Sequence, residues 1–263
     1  MTQLLEGKVA IVSGIGPGMG RDISLQFAEH GAKVVCGART KANVDEVVAE
    51  INAARGDGFG VELDITDQTS CDAAVTATVE RYGRIDVLVN NAFSDGDHRS
   101  FMSADLDDWR RTMDTNFFGT LQLTRAVVPH MKDAGDGRII MINSMSAAKV
   151  EPRFGAYAGS KSALATVTKT LAIELGQFGI RVNAVHPGYI WSEKQEMYFQ
   201  YLACKNGITY DEQFERSAGT TALGYLPHSS EIAGSVVFLA SDLSKPVTGQ
   251  AIHVNAGHYM GGF

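Results

Sequence analysis

Short runs of apolar residues alternate with longer mixed segments along the chain. The runs are KVAIVSG (8–14), AKVVCGA (32–38), GFGVELD (58–64), RIDVLVNNA (84–92), GRIIMINS (137–144), GIRVNAVHP (179–187) and QAIHVNA (250–256). Each has the length and β-branched content of a strand, and its nearly unbroken apolarity suits a strand covered on both faces. Between them, helical patterns run over 19–30, 44–54, 68–82, 106–131, 154–178 and 230–240. This alternation predicts a parallel sheet with helices on both faces. Right-handed crossovers would wind it in both directions from the first strand. Residues 192–228 break the rhythm with a polar-aromatic helical insert after the sixth strand. No linker or repeat divides the chain, so residues 1–263 are expected to form one domain containing the insert.

Composition narrows the function classes. The 263 residues are 44% hydrophobic and 20% charged, with a net charge of −7. Lys and Arg are scattered without a basic block, which disfavours nucleic acid as a partner. No run of 18 apolar residues offers a membrane span, and the N-terminus lacks the pattern of a signal peptide. Three cysteines without C-x-x-C spacing argue against a disulfide framework or zinc site, so a reducing, cytoplasmic setting is expected. His98, His186, His228, His253 and His258 show no ligand spacing. They are expected at the surface or in turns, with no metal site.

The first run ends in SGIGPGMG (13–20) and a helical pattern follows. Glycines at a strand-to-helix turn let the backbone approach a phosphate, and the helix N-terminus then faces the anion. This context supports a dinucleotide site, and with it a Rossmann-type, doubly wound α/β fold on a seven-stranded parallel sheet. NAD sites carry an acid after the second strand. Here the sequence is GART (37–40), with no acid before Asp45. Arg39 could accept a 2′-phosphate through its planar fork, so NADP(H) is favoured and NAD(H) is the alternative.

Tyr157 and Lys161 lie four apart in GAYAGSKSA, one helical turn, and would share a face. Roughly 0.3 such pairs are expected by chance, and YLACK repeats the spacing at Tyr201 and Lys205, so the pair alone is weak evidence. The surrounding motifs decide. The chain resembles the short-chain dehydrogenase/reductase family from about residue 7 to 257. The family motif T-G-x-x-x-G-x-G appears as SGIGPGMG, N-N-A-G as NNAF (90–93), Y-x-x-x-K as YAGSK, and P-G-x-I-x-T as PGYIWS. Asn116 falls on the mid-helix asparagine, and Ser144 precedes Tyr157 by thirteen residues.

The resemblance implies a catalytic set of Asn116, Ser144, Tyr157 and Lys161. It implies cofactor contacts from Gly14, Gly16, Gly18, Met19 and Gly20, from Arg39, and from Asp64 and Ile65 at the adenine end. Asn91, Ala92, Ile190 and Ser192 would flank the nicotinamide half, with Tyr157 and Lys161. Phe93 replaces the last glycine of N-N-A-G and narrows the space beside the nicotinamide ribose. Tyr201 fails the Ser-to-Tyr spacing and reads as a lid or pocket residue.

The chemistry has a physical rationale. Hydride transfer to a carbonyl leaves charge on oxygen that must be protonated, and Tyr157 is the expected acid, or the base in oxidation. A free phenol titrates near 10, and a cation one turn away would favour its phenolate. Ser144 would donate to the substrate oxygen, and Asn116 would hold a water leading from Lys161 to solvent. The expected activity interconverts a secondary alcohol and a ketone on a small hydrophobic or aromatic molecule. Within the insert and its approach, Trp191, Met197, Tyr198, Phe199, Tyr201 and Phe214 could line that pocket or pack the insert down. The family commonly assembles as a homotetramer through its long fourth and fifth helices and its last strand. A non-catalytic dinucleotide-dependent regulator on the same fold remains an alternative. An extended epimerase or dehydratase fits the short chain and glycine spacing poorly.

Overall fold

A computed structural model, which describes residues 3–261, turns the seven runs into seven parallel strands. They are β1 (Val9–Ser13), β2 (Lys33–Ala38), β3 (Asp57–Glu62), β4 (Val87–Asn90), β5 (Gly137–Ile142), β6 (Ile180–Pro187) and β7 (Ala251–Val254). Their order across the sheet is β3-β2-β1-β4-β5-β6-β7. Each strand is shorter than its apolar run, because the ends turn out of the sheet into the loops that carry polar side chains.

The helices are α1 (Met19–Glu29), α2 (Lys41–Ala53), α3 (Gln68–Tyr82), α4 (Leu106–Met113), α5 (Thr120–Ala134), α6 (Gly155–Gly176), α7 (Glu193–Asn206), α8 (Tyr210–Ala218) and α9 (Ser229–Ala240). Local signals fix some ends: Asp67 caps α3 by accepting from Thr69 N at 2.9 Å, and Gly83 closes it at φ +76°.

Successive strand residues face opposite ways and feed two cores. Val12, Val34, Cys36, Val89 and Ile140 pack with Ile23 and Phe27 of α1, Val47 and Ile51 of α2 and Ile232 and Val236 of α9. Ile11, Val35, Leu88, Ile139 and Met141 pack with Val75 of α3, Leu123 and Val127 of α5 and Leu164 of α6. Both faces are therefore dry, which is why the strands read as continuous apolar runs.

One long helix was expected over 106–131. The structure instead has α4, a π-helical stretch at Asp114–Gly119, and then α5 continuing to Ala134. The insert forms α7 and α8, held by its own small core of Phe199, Ala218 and Leu226.

Candidate active site

The strand order reverses at β1, which has β2 on one side and β4 on the other. Loops leaving the carboxyl ends of β1 and β4 diverge there and open a cleft. Ser13 staples the two strands: its hydroxyl donates to Val89 O at 3.2 Å and accepts from Asn91 N at 3.2 Å. Asn91 Nδ2 donates to Gly14 O at 2.8 Å. Gly14 sits at φ +78°, and a Cβ there would come within 2.4 Å of Ala92 Cα, so only glycine fits. Gly20 is equally confined, since a Cβ would meet Gly14 O at 2.5 Å. Gly16 and Gly18 differ. An added Cβ meets nothing within 4 Å at either position, so their backbone faces open space beside the start of α1. Met19 opens that helix and is partly buried against the first core.

The cleft continues past Ala38, Arg39 and Thr40 on one wall and Leu63, Asp64, Ile65 and Thr66 on the other. Arg39 is exposed. Asp64 accepts from Thr66 N at 2.9 Å and Thr66 Oγ1 at 2.7 Å. Burial opposes its ionisation, but the Thr66 bonds and the nearby Arg39 charge together hold the carboxyl below its ordinary range. The Asp64 carboxylate is thus tied into its own turn, with Ile65 buried behind it.

At the other end of the cleft, Asn91, Ala92 and Phe93 lead toward α6. Tyr157 and Lys161 do share a face of α6. Lys161 Nζ is buried and donates to Ile142 O at 2.8 Å, lying 5.7 Å from the centre of the Tyr157 ring. Phe93 stands edge-on to Tyr157 with ring centres 6.4 Å apart, and its ring lies 5.9 Å from Lys161 Nζ. Ser144 follows β5, and its hydroxyl accepts from Ser146 N at 3.1 Å, so it caps the turn Met145–Ala147. Its hydroxyl also acts on the Tyr157 phenol, drawing its pKa down.

Asn116 lies in the π-helical stretch, a local widening frequent at functional sites. Its Oδ1 accepts from Ser94 N at 2.7 Å. Its Nδ2 donates to Ser94 O at 2.8 Å and to Ser160 Oγ at 2.9 Å, and Ser160 donates to Tyr157 O at 2.7 Å. The side chain expected to hold a water is therefore engaged as a tie between the loop after β4 and the second turn of α6.

Electrostatics depart from expectation in one respect. Burial pushes the Tyr157 phenol up to about 12, with the Ser144 hydroxyl pulling down and Asp95 pushing up. Burial likewise brings Lys161 down to about 7. Desolvation of both groups outweighs the stabilisation of the phenolate anticipated from a neighbouring cation. In the free protein the phenol therefore holds its proton at neutral pH.

A family model described as enoyl-(acyl carrier protein) reductase matches residues 14–259. The chain is 38% identical to a trans-4-hydroxycyclohexanecarboxylate dehydrogenase of Sinomonas cyclohexanicum, over 97% of this chain and 93% of that one. It is 35% identical to a 3-oxoacyl-(acyl-carrier-protein) reductase of Staphylococcus aureus, over 96% and 98%. The chain belongs to the short-chain dehydrogenase/reductase family. Two solved structures share the fold of this short-chain oxidoreductase. A xylitol dehydrogenase bound to NAD+ superposes with TM-score 0.89 at 28% identity, over 95% of this chain and 98% of that one. A variant actinorhodin polyketide ketoreductase with NADPH gives 0.90 at 29%, over 98% and 99%. A nicotinamide dinucleotide is thus the cofactor class, and the open backbone at Gly16 and Gly18 beside the uncapped start of α1 fits its phosphates.

Other candidate positions of this dehydrogenase/reductase fall as follows. Ile190 packs partly buried against the first core, and Ser192 caps α7 by accepting from Gln195 N at 3.2 Å. The aromatic side chains divide: Phe199 is buried with Trp191 and Phe214 packed around it, whereas Met197, Tyr198 and Tyr201 face outward. His186 corrects the surface expectation. It lies in β6 beside His253 of β7 and is buried, because alternate residues of that strand point under α6. Among the described residues, no group of three or more His, Cys, Asp or Glu could hold a metal. No described helix is long and apolar enough to cross a membrane. Ser94 and Ser160 escaped the sequence reading; as small residues beside stronger motifs they carry no spacing signal of their own.

Proposed function

We propose that the protein interconverts a secondary alcohol and a ketone on a small hydrophobic or aromatic molecule, using NADP(H). The observation that carries this reading is the half-buried Tyr157 beside buried Lys161, with Ser144 acting on the phenol, at the inner end of the glycine-lined cleft. The dinucleotide, when bound, supplies or accepts the hydride. Tyr157 holds a proton at its hydroxyl near neutral pH and delivers it to the carbonyl oxygen in reduction, taking it back in oxidation. Ser144 donates to that oxygen as charge develops. Lys161 binds the nicotinamide ribose and supplies the positive charge that lowers the phenol's pKa in the loaded site. Asn116 fixes Ser160 and, through it, the Tyr157 backbone. The glycine loop, Asp64, Ile65, Asn91, Ala92, Ile190 and Ser192 line the cofactor's path.

Arg39 carries the preference for a 2′-phosphate: it is exposed on the cleft wall just past β2, where NAD enzymes hold an acid. The insert 192–228 acts as a lid within the single domain. A homotetramer is supported by the exposed Phe118 beside α5 and Ile173 on α6; a stable monomer in sedimentation would exclude it. The free thiols Cys36, Cys71 and Cys204 suit the cytoplasm. A panel of ketones and alcohols, followed by cofactor absorbance with NADPH and NADH, tests the activity. Arg39→Ala should weaken NADPH affinity about tenfold, the scale of one charge-assisted contact, and leave NADH unchanged. Unchanged NADPH affinity would move the assignment to NAD(H).

A further inference from the structure

A second cavity, of about 260 Å³, lies between α6 and the β6–β7 edge of the sheet, beyond the dinucleotide cleft. Its walls combine two chemistries. Five alanines, from Ala147 to Ala251, line the apolar part. The polar part is Thr168 and Lys169 of α6, Gln250, His186, His253 and Tyr259, all of which can donate hydrogen bonds. No Asp or Glu lines it among the described residues, although the chain carries a net charge of −7.

His186 points to what belongs there. It is 5% exposed, and neither ring nitrogen has a hydrogen-bond partner among the described residues. The same holds for His253 Nδ1, in a ring 5.1 Å from that of His186. A buried imidazole without partners costs free energy that a bound acceptor would offset. Lys169 adds a positive charge to the lining. Burial, with His253, Lys161 and Lys169 acting in the same sense, brings the His186 pKa down to about 4, so at neutral pH its imidazole is uncharged and offers one N–H. An acid-free lining that combines the Lys169 charge with an unpartnered imidazole N–H favours a small anion, and its alanine walls favour one with a short hydrocarbon body.

We infer that this cavity is a binding site for a small aliphatic carboxylate, held by His186, His253 and Lys169 with its chain against the alanines. The site is separate from the catalytic group, since Lys169 lies two helical turns beyond Lys161 on α6.

Titration calorimetry of the full chain with butyrate tests this, with butyramide as the neutral isostere and chloride at equal ionic strength as control. Butyrate should bind saturably and butyramide and chloride should not. Lys169→Glu and His186→Leu should each weaken butyrate at least tenfold, while Tyr157→Phe leaves it unchanged. Lys169→Glu changes an exposed helix position, so it decides the matter if the buried histidine variant does not fold. Absent saturation, equal binding of butyramide, or full affinity in Lys169→Glu would overturn the inference. So would zinc binding that His186→Leu abolishes in a protein silent to butyrate, which would make the histidine pair a metal site.

Discussion

Tyr157–Lys161 and Tyr201–Lys205 have the same spacing on two helices of one chain, and the fold treats them oppositely. The first pair sits on α6, beneath the sheet's carboxyl edge, where Lys161 is 2% exposed and donates to a strand carbonyl. The second sits on α7, where Tyr201 is 60% exposed and Lys205 lies in the last turn, free to interact with the helix dipole. Burial makes the difference. It moves the first pair to about 12 and about 7. Spacing makes a pair possible, and the environment of its helix gives it chemistry.

The largest expected contrast comes from the lysines. Lys161→Met should lower kcat/KM about a thousandfold, as loss of a charge acting on the transition state does, while Lys205→Met leaves it unchanged. The same variant carries a stability signature. Lys161 falls from 10.5 to about 7 on folding, so between those values the unfolded chain holds a proton that the folded chain has released. Stability should therefore rise with pH from about 7 to 10, by at most about 1.4 kcal/mol per unit. Lys161→Met should flatten that slope in urea titrations. Above pH 10 the raised phenols of Tyr157 and Tyr189 work in the other direction.

The next contrast lies within α7. Phe199 is 2% exposed in the insert's core, two residues from exposed Tyr201. Phe199→Ala should cost about 3 kcal/mol of stability, measured by denaturant midpoint. The smallest effect is Tyr201→Phe, which should change neither stability nor kcat beyond about 0.5 kcal/mol; a larger loss of kcat would restore Tyr201 to the site.

The strands were legible because both faces of the sheet are buried, leaving nearly unbroken apolar runs such as KVAIVSG and GRIIMINS. Asp67 and Gly83 made the ends of α3 legible through capping chemistry. The π-helical stretch at 114–119 was not, because one extra residue in a turn barely disturbs hydrophobic periodicity. Nor was the division of the insert's aromatics, since which face of α7 is covered depends on α8 and the loop bearing Leu226. Within the site, glycine and Tyr-x-x-x-Lys spacings survive as motifs. The Asn116–Ser160–Tyr157 tie does not, because it joins residues 44 apart through small side chains.

The most direct test of the account is Tyr157→Phe, assayed beside Tyr201→Phe on the ketone panel with NADPH and NADH. Removing the proton donor while keeping the ring should abolish turnover, by about a thousandfold or more, with dinucleotide binding retained and Tyr201→Phe fully active. Turnover surviving in Tyr157→Phe on any ketone that the unaltered protein reduces would contradict the assignment of Tyr157 as the acid.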